Sequence, residues 1–204
     1  MIKTVENEQD LKRLFDFLAK IFYEDAVKYK EHYYVMGERF EEMKTQYNLA
    51  KDMLMYIEKD GRIIAGITGK NMKETNITMG ILGVDENERN KGLAKELVSE
   101  FEKRCLENGI THIDLGSRNR AASLYKKLGY KVNLMIQVYD FATIEDIRKA
   151  NNYNLQEKKA YQNDTYGFII YDINKIDEEY IKHFEDNVKT AMVQYIFEKD
   201  LLSA

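Results

Sequence analysis

The chain of 204 residues is 44% hydrophobic and 12% aromatic, which supports an ordered core and excludes a disordered chain. With 32% charged residues and no long apolar run it offers no membrane-spanning helix, and its formal charge of -4 does not suit a dedicated nucleic-acid binder. The polar start Met1–Asp10 does not read as a secretory signal, and one cysteine, Cys105, permits no internal disulfide, so the expected setting is a reducing cytoplasm.

In chain order, Ile2 to Val5 is a short strand. Asn7 is placed to cap a helix, with Asp10 three residues on reaching back as in a capping box. Leu11, Leu14, Phe15, Leu18, Ile21 and Phe22 then repeat at helical spacing. Glu31-His32-Tyr33-Tyr34 fits neither period and reads as loop, and Gly37 to Ala50 is a second helix. Met53–Glu58 and Arg62–Gly69 flank Asp60-Gly61, a two-residue hairpin turn. Asn76 to Val84 is a third long strand. Gly92 opens an amphipathic helix with Leu93, Leu97, Val98, Phe101, Cys105 and Leu106 on its apolar face and Gly109 as its C-terminal cap. A short buried strand (His112–Leu115), a helix (Ala121–Leu128, stopped by Gly129) and a strand (Val132–Tyr139) follow. Beyond Phe141 the composition turns polar, with Asn151 to Asn154 as a linker, Tyr166 to Ile173 as a strand and Asp177 to Asp200 as a final helix. That helix would carry Ile181, Phe184, Val188, Met192 and Ile196 on one face, to be covered by the main domain or by a second subunit in a homodimer.

The stretch from Ile81 to Ala94 is a strand running through a loop directly into a helix, with Arg89, Lys91 and Gly92 at the junction. Such a junction presents unpaired N–H groups reinforced by the helix dipole, and glycine lets the chain approach a phosphate closely. No Gly-x-x-x-x-Gly-Lys-Ser/Thr occurs, which excludes a P-loop nucleotide enzyme. Three scattered histidines and one cysteine give no metal-ligand spacing, so no metal is expected. His112 and Cys105 read as packing residues and His183 as surface.

Arg89-x-x-Gly92-x-Ala94, after a strand ending in Val84, resembles the Arg/Gln-x-x-Gly-x-Gly/Ala acyl-CoA signature of the GCN5-related N-acetyltransferases (GNAT). Leu124-Tyr125-Lys126-Lys127-Leu128-Gly129-Tyr130 resembles the same family's Leu-Tyr-x-Lys-x-Gly-Phe segment. The order of elements is similar as well, over residues 1–139. The resemblance implies an α+β, three-layer fold with a mixed, mostly antiparallel central sheet flanked by helices, here with a C-terminal α/β extension. Residues 1–139 would form the acyl-CoA-dependent N-acyltransferase domain, and 140–204 a strand-plus-helix extension packed on it or at a dimer contact.

The implied activity is transfer of an acetyl group from acetyl-CoA, a cosubstrate, to a primary amine by direct attack in a ternary complex, without metal, nucleic acid or membrane. Leu82 and Val84 would offer backbone groups to the pantetheine arm, and Arg89, Asn90, Lys91, Gly92, Leu93 and Ala94 would cradle the pyrophosphate, mainly through main-chain N–H groups. Strand splaying beside Leu82 would leave N–H groups to polarise the thioester carbonyl. Tyr125 would protonate the departing thiolate, and either Arg118 or Asn119 would contact CoA. Glu86 stands where the family often has proline, and Asn90 where it often has glycine. Glu74, Glu31, Asp52 and His32 are base candidates and Thr78 a holder of water, none of them assigned; Tyr29, Tyr33, Tyr34 and Tyr47 are candidate cleft-lining residues. The alternative is a non-catalytic acyl-CoA-binding or regulatory module on the same fold.

Overall fold

The fold is that of a computed structural model describing residues 1–29, 40–139 and 141–202, and not the side chains of 25–29, 119 and 120. The chain divides into two compact units, Met1–Ile113 with Asp200–Ala204, and Asp114–Lys199.

The first unit opens with β1 (Ile2–Thr4) and α1 (Glu8–Tyr29). The Asp10 N–H donates to Asn7 Oδ1 at 2.9 Å, and the Asp10 carboxylate accepts from the Glu6 N–H at 3.5 Å, so the predicted cap forms one residue wider than drawn. α2 (Phe40–Leu49) follows, then β2 (Leu54–Lys59), β3 (Arg62–Lys70) and β4 (Asn76–Val84). Within this unit the strands run β1-β2-β3-β4, each neighbour antiparallel. Asp60 (φ 51°) and Gly61 (φ 75°) both lie in the left-handed region, the requirement of the hairpin turn their sequence announces.

Helix α1 lies against the face that presents Gly66 and Gly83: a Cβ on Gly66 would stand 2.4 Å from Leu14 Cδ1, and one on Gly83 2.9 Å from Leu18 Cδ2. Val5, Leu11, Leu14, Phe15, Leu18, Met43, Leu54, Tyr56 and Ile63 form the core on that side. The next helix, α3 (Leu93–Glu107), buries Leu97, Val98, Phe101 and Cys105 and meets the sheet at Gly69, whose Cβ would lie 3.2 Å from Phe101 Cε2. Leu106, expected on that apolar stripe, is 45% exposed. Gly109, with φ 74°, ends the helix as anticipated.

β5 (His112–Ser117) leads into the second unit, which holds α4 (Asn119–Lys127), β6 (Lys131–Tyr139), α5 (Ile144–Lys149), β7 (Gln156–Gln162), β8 (Tyr166–Asp172), α6 (Glu178–Asn187) and β9 (Met192–Asp200). Here the strand order is β5-β9-β6-β8-β7. Strand β6 pairs antiparallel with both β8 and β9, so strands after residue 140 share a sheet with the strand before it. The side chains of Leu134, Ile136, Ile169, Tyr171, Val193, Tyr195 and Phe197 alternate onto its buried face.

The expected helix Asp177–Asp200 is corrected: α6 stops at Asn187, Thr190 takes φ 61°, and β9 begins at Met192. Val188, Met192 and Ile196 continue a helical spacing, but Val193, Tyr195 and Phe197 also alternate, and pairing with β6 buries this second set completely. Met192 is left 38% exposed. Helix α5 and strand β7 were not anticipated. β7, Gln156-Glu-Lys-Lys-Ala-Tyr-Gln, is a polar strand at the end of the order with only Ala160 less than exposed, so it carries no alternating pattern to read. His183, expected at the surface, is half-buried, with Nε2 2.7 Å from the Ala150 carbonyl and its ring 4.9 Å from that of Tyr153.

Candidate active site

β4 carries the first part of the site. Its pairing with β3 slips between Ile67↔Leu82 and Gly69↔Met79, so Gly80 and Ile81 together oppose Thr68. There the Ile81 N–H donates to Thr68 Oγ1 at 2.9 Å. Further along, the Asp85 N–H donates to the Ile64 carbonyl at 2.9 Å. Successive N–H groups of an extended strand point to opposite edges. With 81 and 85 turned to β3, the Leu82 and Val84 N–H groups point away from it, which is the orientation a ligand lying along β4 requires. Both residues are half-buried. Sequence reasoning missed this bulge; the signal was Gly80, an isolated glycine inside a strand pattern.

The loop after β4 is held by its own side chains. Asp85 caps a single helical turn at Glu86–Glu88 by accepting from the Asn87 N–H at 2.9 Å. Arg89 folds back, its Nε donating to the Val84 carbonyl at 3.1 Å, so this guanidinium braces the strand end. Lys91 lies 2.8 Å and Lys59 3.2 Å from the two carboxylate oxygens of Glu88, and these cations hold its carboxyl below the usual range. Asn90 (φ 63°) and Gly92 (φ 86°) are both left-handed. Asparagine is among the residues that best tolerate that region, so it can stand where the resembled signature often has glycine.

Gly92 is the N-terminal cap of α3 and supplies no side-chain cap; the first helical bond runs from the Glu96 N–H to the Gly92 carbonyl at 3.0 Å. The N–H groups of Leu93, Ala94 and Lys95 therefore find no acceptor among the described residues. Gly92 and Lys91 are exposed and Leu93 and Ala94 half-buried. A helix end of this kind, with no Cβ at Gly92 and a cation at Lys91, is built to take an anion.

Tyr125 lies on α4, in the second unit. It is 4% exposed, and its ring meets Phe197 at 5.3 Å and Tyr130 at 5.8 Å between centroids. Burial pushes its phenol well above the ordinary value, so it stays protonated across the physiological range. Arg118, at the start of α4, is paired with Glu185, while the side chain of Asn119 lies outside the described residues.

Of the base candidates, Glu74 and Asp52 are exposed and Thr78 is half-buried on β4; Glu31 and His32 lie outside the described residues. The same holds for the side chains of Tyr29, Tyr33 and Tyr34, while the Tyr47 hydroxyl donates to the Glu6 carbonyl at 2.9 Å and braces α2. Cys105 is fully buried, and burial pushes its thiol up to about 12, so it is no nucleophile.

The model of the Acetyltransferase (GNAT) family matches residues 12–130. An acetyltransferase of Bacillus subtilis (strain 168) is 27% identical over 135 residues, 64% of this chain and 82% of its own length. The PaiA N-acetyltransferase of Thermoplasma acidophilum, solved in complex with coenzyme A, superposes with a TM-score of 0.55 at 17% identity, covering 85% of this chain and 98% of its own. An N-acetyltransferase of Staphylococcus aureus Mu50 gives 0.52 at 16% identity and covers 98% of both chains. At such identities the structures attest the fold.

Proposed function

The chain belongs to the GNAT acetyltransferase family, and from that premise we propose that it moves the acetyl group of acetyl-CoA onto a primary amine by direct attack in a ternary complex. The observation that carries the donor half is the N-terminus of α3, where Gly92 opens the helix left-handed and three N–H groups have no acceptor among the described residues. In this reading the Leu93, Ala94 and Lys95 N–H groups and Lys91 take the pyrophosphate, Lys91 exchanging its pairing with Glu88 for the phosphate, and Arg89 acts by bracing the loop.

The outward N–H groups of Leu82 and Val84 lie along the pantetheine arm, and one of them polarises the thioester carbonyl. The amine attacks that carbonyl, the C–N bond forms, and the C–S bond breaks as the tetrahedral intermediate collapses. The departing thiolate takes the Tyr125 proton, and the proton shed by the attacking nitrogen, passed through solvent, restores the phenol, so that amide and CoA thiol leave and Tyr125 ends as it began. A buried phenol is a weaker acid than a free one, so the transfer requires a thiolate that is itself desolvated and correspondingly basic.

The test is thermal unfolding with acetyl-CoA against ATP, followed by an amine panel read by release of free CoA thiol. At a hundredfold excess over its dissociation constant acetyl-CoA should stabilise the protein by about 2.7 kcal/mol, and ATP should not. Tyr125→Phe should keep that stabilisation and lower amine-dependent thiol release by about 10²- to 10⁴-fold, the usual scale of acid–base catalysis. Unchanged turnover in Tyr125→Phe would remove the acid role. Acetyl-CoA binding without turnover on any amine would favour the non-catalytic module.

A further inference from the structure

We propose that Thr68 is a positioning residue for acyl transfer: its hydroxyl, seated over Gly80, fixes the bulge in β4 and so sets which peptide N–H faces the thioester. The inference rests on the donor-site reading above and adds to it a residue on a different strand, outside both signature motifs.

Thr68 is one of two buried polar residues among those described, 6% exposed on a strand whose positions from Ile63 to Gly69 are all buried. Its Oγ1 accepts from the Ile81 N–H at 2.9 Å at the point where the register slips. Gly80 is the complementary half. A Cβ at that position would lie 2.6 Å from Thr68 Oγ1 and 3.2 Å from the Thr68 carbonyl oxygen, so any side chain there evicts the hydroxyl.

Two residues on neighbouring strands thus share one purpose. Without the hydroxyl the half-buried Ile81 N–H loses this partner, and the arrangement then favoured is regular pairing of β4, its end beyond the bulge slid by one residue. Because the N–H direction alternates along a strand, a slide of one turns the Leu82 and Val84 N–H groups toward β3 and presents Gly83 outward instead. The N-terminus of α3 would be far less affected, since it is anchored by the burial of Leu97, Val98, Phe101 and Cys105 further along the same helix, whereas the Asp85 bond to Ile64 and the Arg89 bond to Val84 move with the strand. The pyrophosphate grip and the carbonyl contact are therefore separable, and Thr68 governs the second.

The experiment compares wild type with Thr68→Val, Thr68→Ser and Gly80→Ala by calorimetric titration with acetyl-CoA and with CoA, and by infrared difference spectra of acetyl-CoA isotopically labelled at the thioester carbonyl. Wild type and Thr68→Ser should shift the bound carbonyl stretch to lower frequency than in water. Thr68→Val and Gly80→Ala should keep CoA affinity within about twofold, lose about tenfold in acetyl-CoA affinity, the scale of one hydrogen bond, and leave the carbonyl stretch at its solution position. If Thr68→Val does not fold, Gly80→Ala decides, because it keeps the hydroxyl and only displaces it. A wild-type carbonyl shift retained in either variant overturns the proposal. Wild type that binds CoA without shifting the acetyl-CoA carbonyl overturns this inference alone, whereas wild type that binds neither ligand overturns the donor-site reading with it.

Discussion

In the first unit α1 and α3 reach the sheet over glycine; in the second α4 and α6 reach it over tyrosine and phenylalanine. Gly66 and Gly83 let Leu14, Leu18 and Ile21 of α1 down onto the strands, and Gly69 does the same for Phe101 of α3. In the second unit Phe184 of α6 stacks on Tyr171 of β8 at 6.0 Å, and Tyr125 of α4 packs on Phe197 of β9 at 5.3 Å. The Tyr195 hydroxyl also donates to the Asp177 carbonyl at 2.7 Å, tying the start of α6 to β9. The difference teaches where each unit is vulnerable. A core closed over bare backbone has no room for an added atom, and a core filled by rings leaves a large void when one is removed.

The largest expected effect is in the second unit. Phe184→Ala should destabilise by about 3–5 kcal/mol, measured by urea unfolding, because a fully buried ring leaves a cavity between α6 and Tyr171. The mirror experiment is Gly69→Ala, which adds one methyl 2.8 Å from Met53 Cβ and 2.7 Å from Ile77 Cδ1. It should cost about 1–3 kcal/mol, since Met53 Cβ is fixed to the backbone and cannot turn aside. A neutral Gly69→Ala would break the comparison, as it would mean the helix floats above the sheet.

A smaller effect sharpens it. The Tyr171 hydroxyl is buried with no hydrogen-bond partner among the described residues, so Tyr171→Phe should leave stability unchanged or raise it by up to about 1 kcal/mol. A clear loss in the same unfolding assay would show that the hydroxyl is satisfied by bound water.

The smallest concerns pH. Glu58 is held below its ordinary value of 4.5 by hydrogen bonds from Lys3 and Arg13. Its contribution is present above the unfolded value and is lost as pH falls through the lowered folded one. Thermal unfolding of Glu58→Gln between about pH 3 and 6 should therefore show a flatter acid limb than wild type, with little difference at neutral pH. Equal acid limbs would mean that the ion pairs at Glu58 persist in the unfolded chain.

Much of the fold was legible because it is written in local rules. Asp60-Gly61 demanded a left-handed two-residue turn and formed one, Gly109 and Gly129 ended their helices with φ 74° and 85°, and β4 runs from Asn76 to Val84 as its pattern required. The loop from Arg89 to Ala94 was legible for a related reason: its geometry is set within six residues. What escaped were features decided by partners far along the chain. The bulge at Gly80 and Ile81 meets a hydroxyl on the preceding strand, and α5 is short, although a capping box between Thr143 and Asp146 marks its start.

The residues 188–197 state the division most sharply. By itself the sequence determined that this segment is apolar and must be buried, and it determined the family, the hairpin and the left-handed glycine at the start of α3. It did not determine whether the segment coils or extends, because Val188, Met192 and Ile196 fit a period of 3.6 while Val193, Tyr195 and Phe197 fit a period of two. Only pairing with β6 decided it: Val132↔Phe197, Leu134↔Tyr195 and Ile136↔Val193 satisfy the backbone and bury the second set together. Pairing of a different strand couple, β3 with β4, sets the Thr68–Gly80 bulge in the same way, since a strand's register is a property of two strands together.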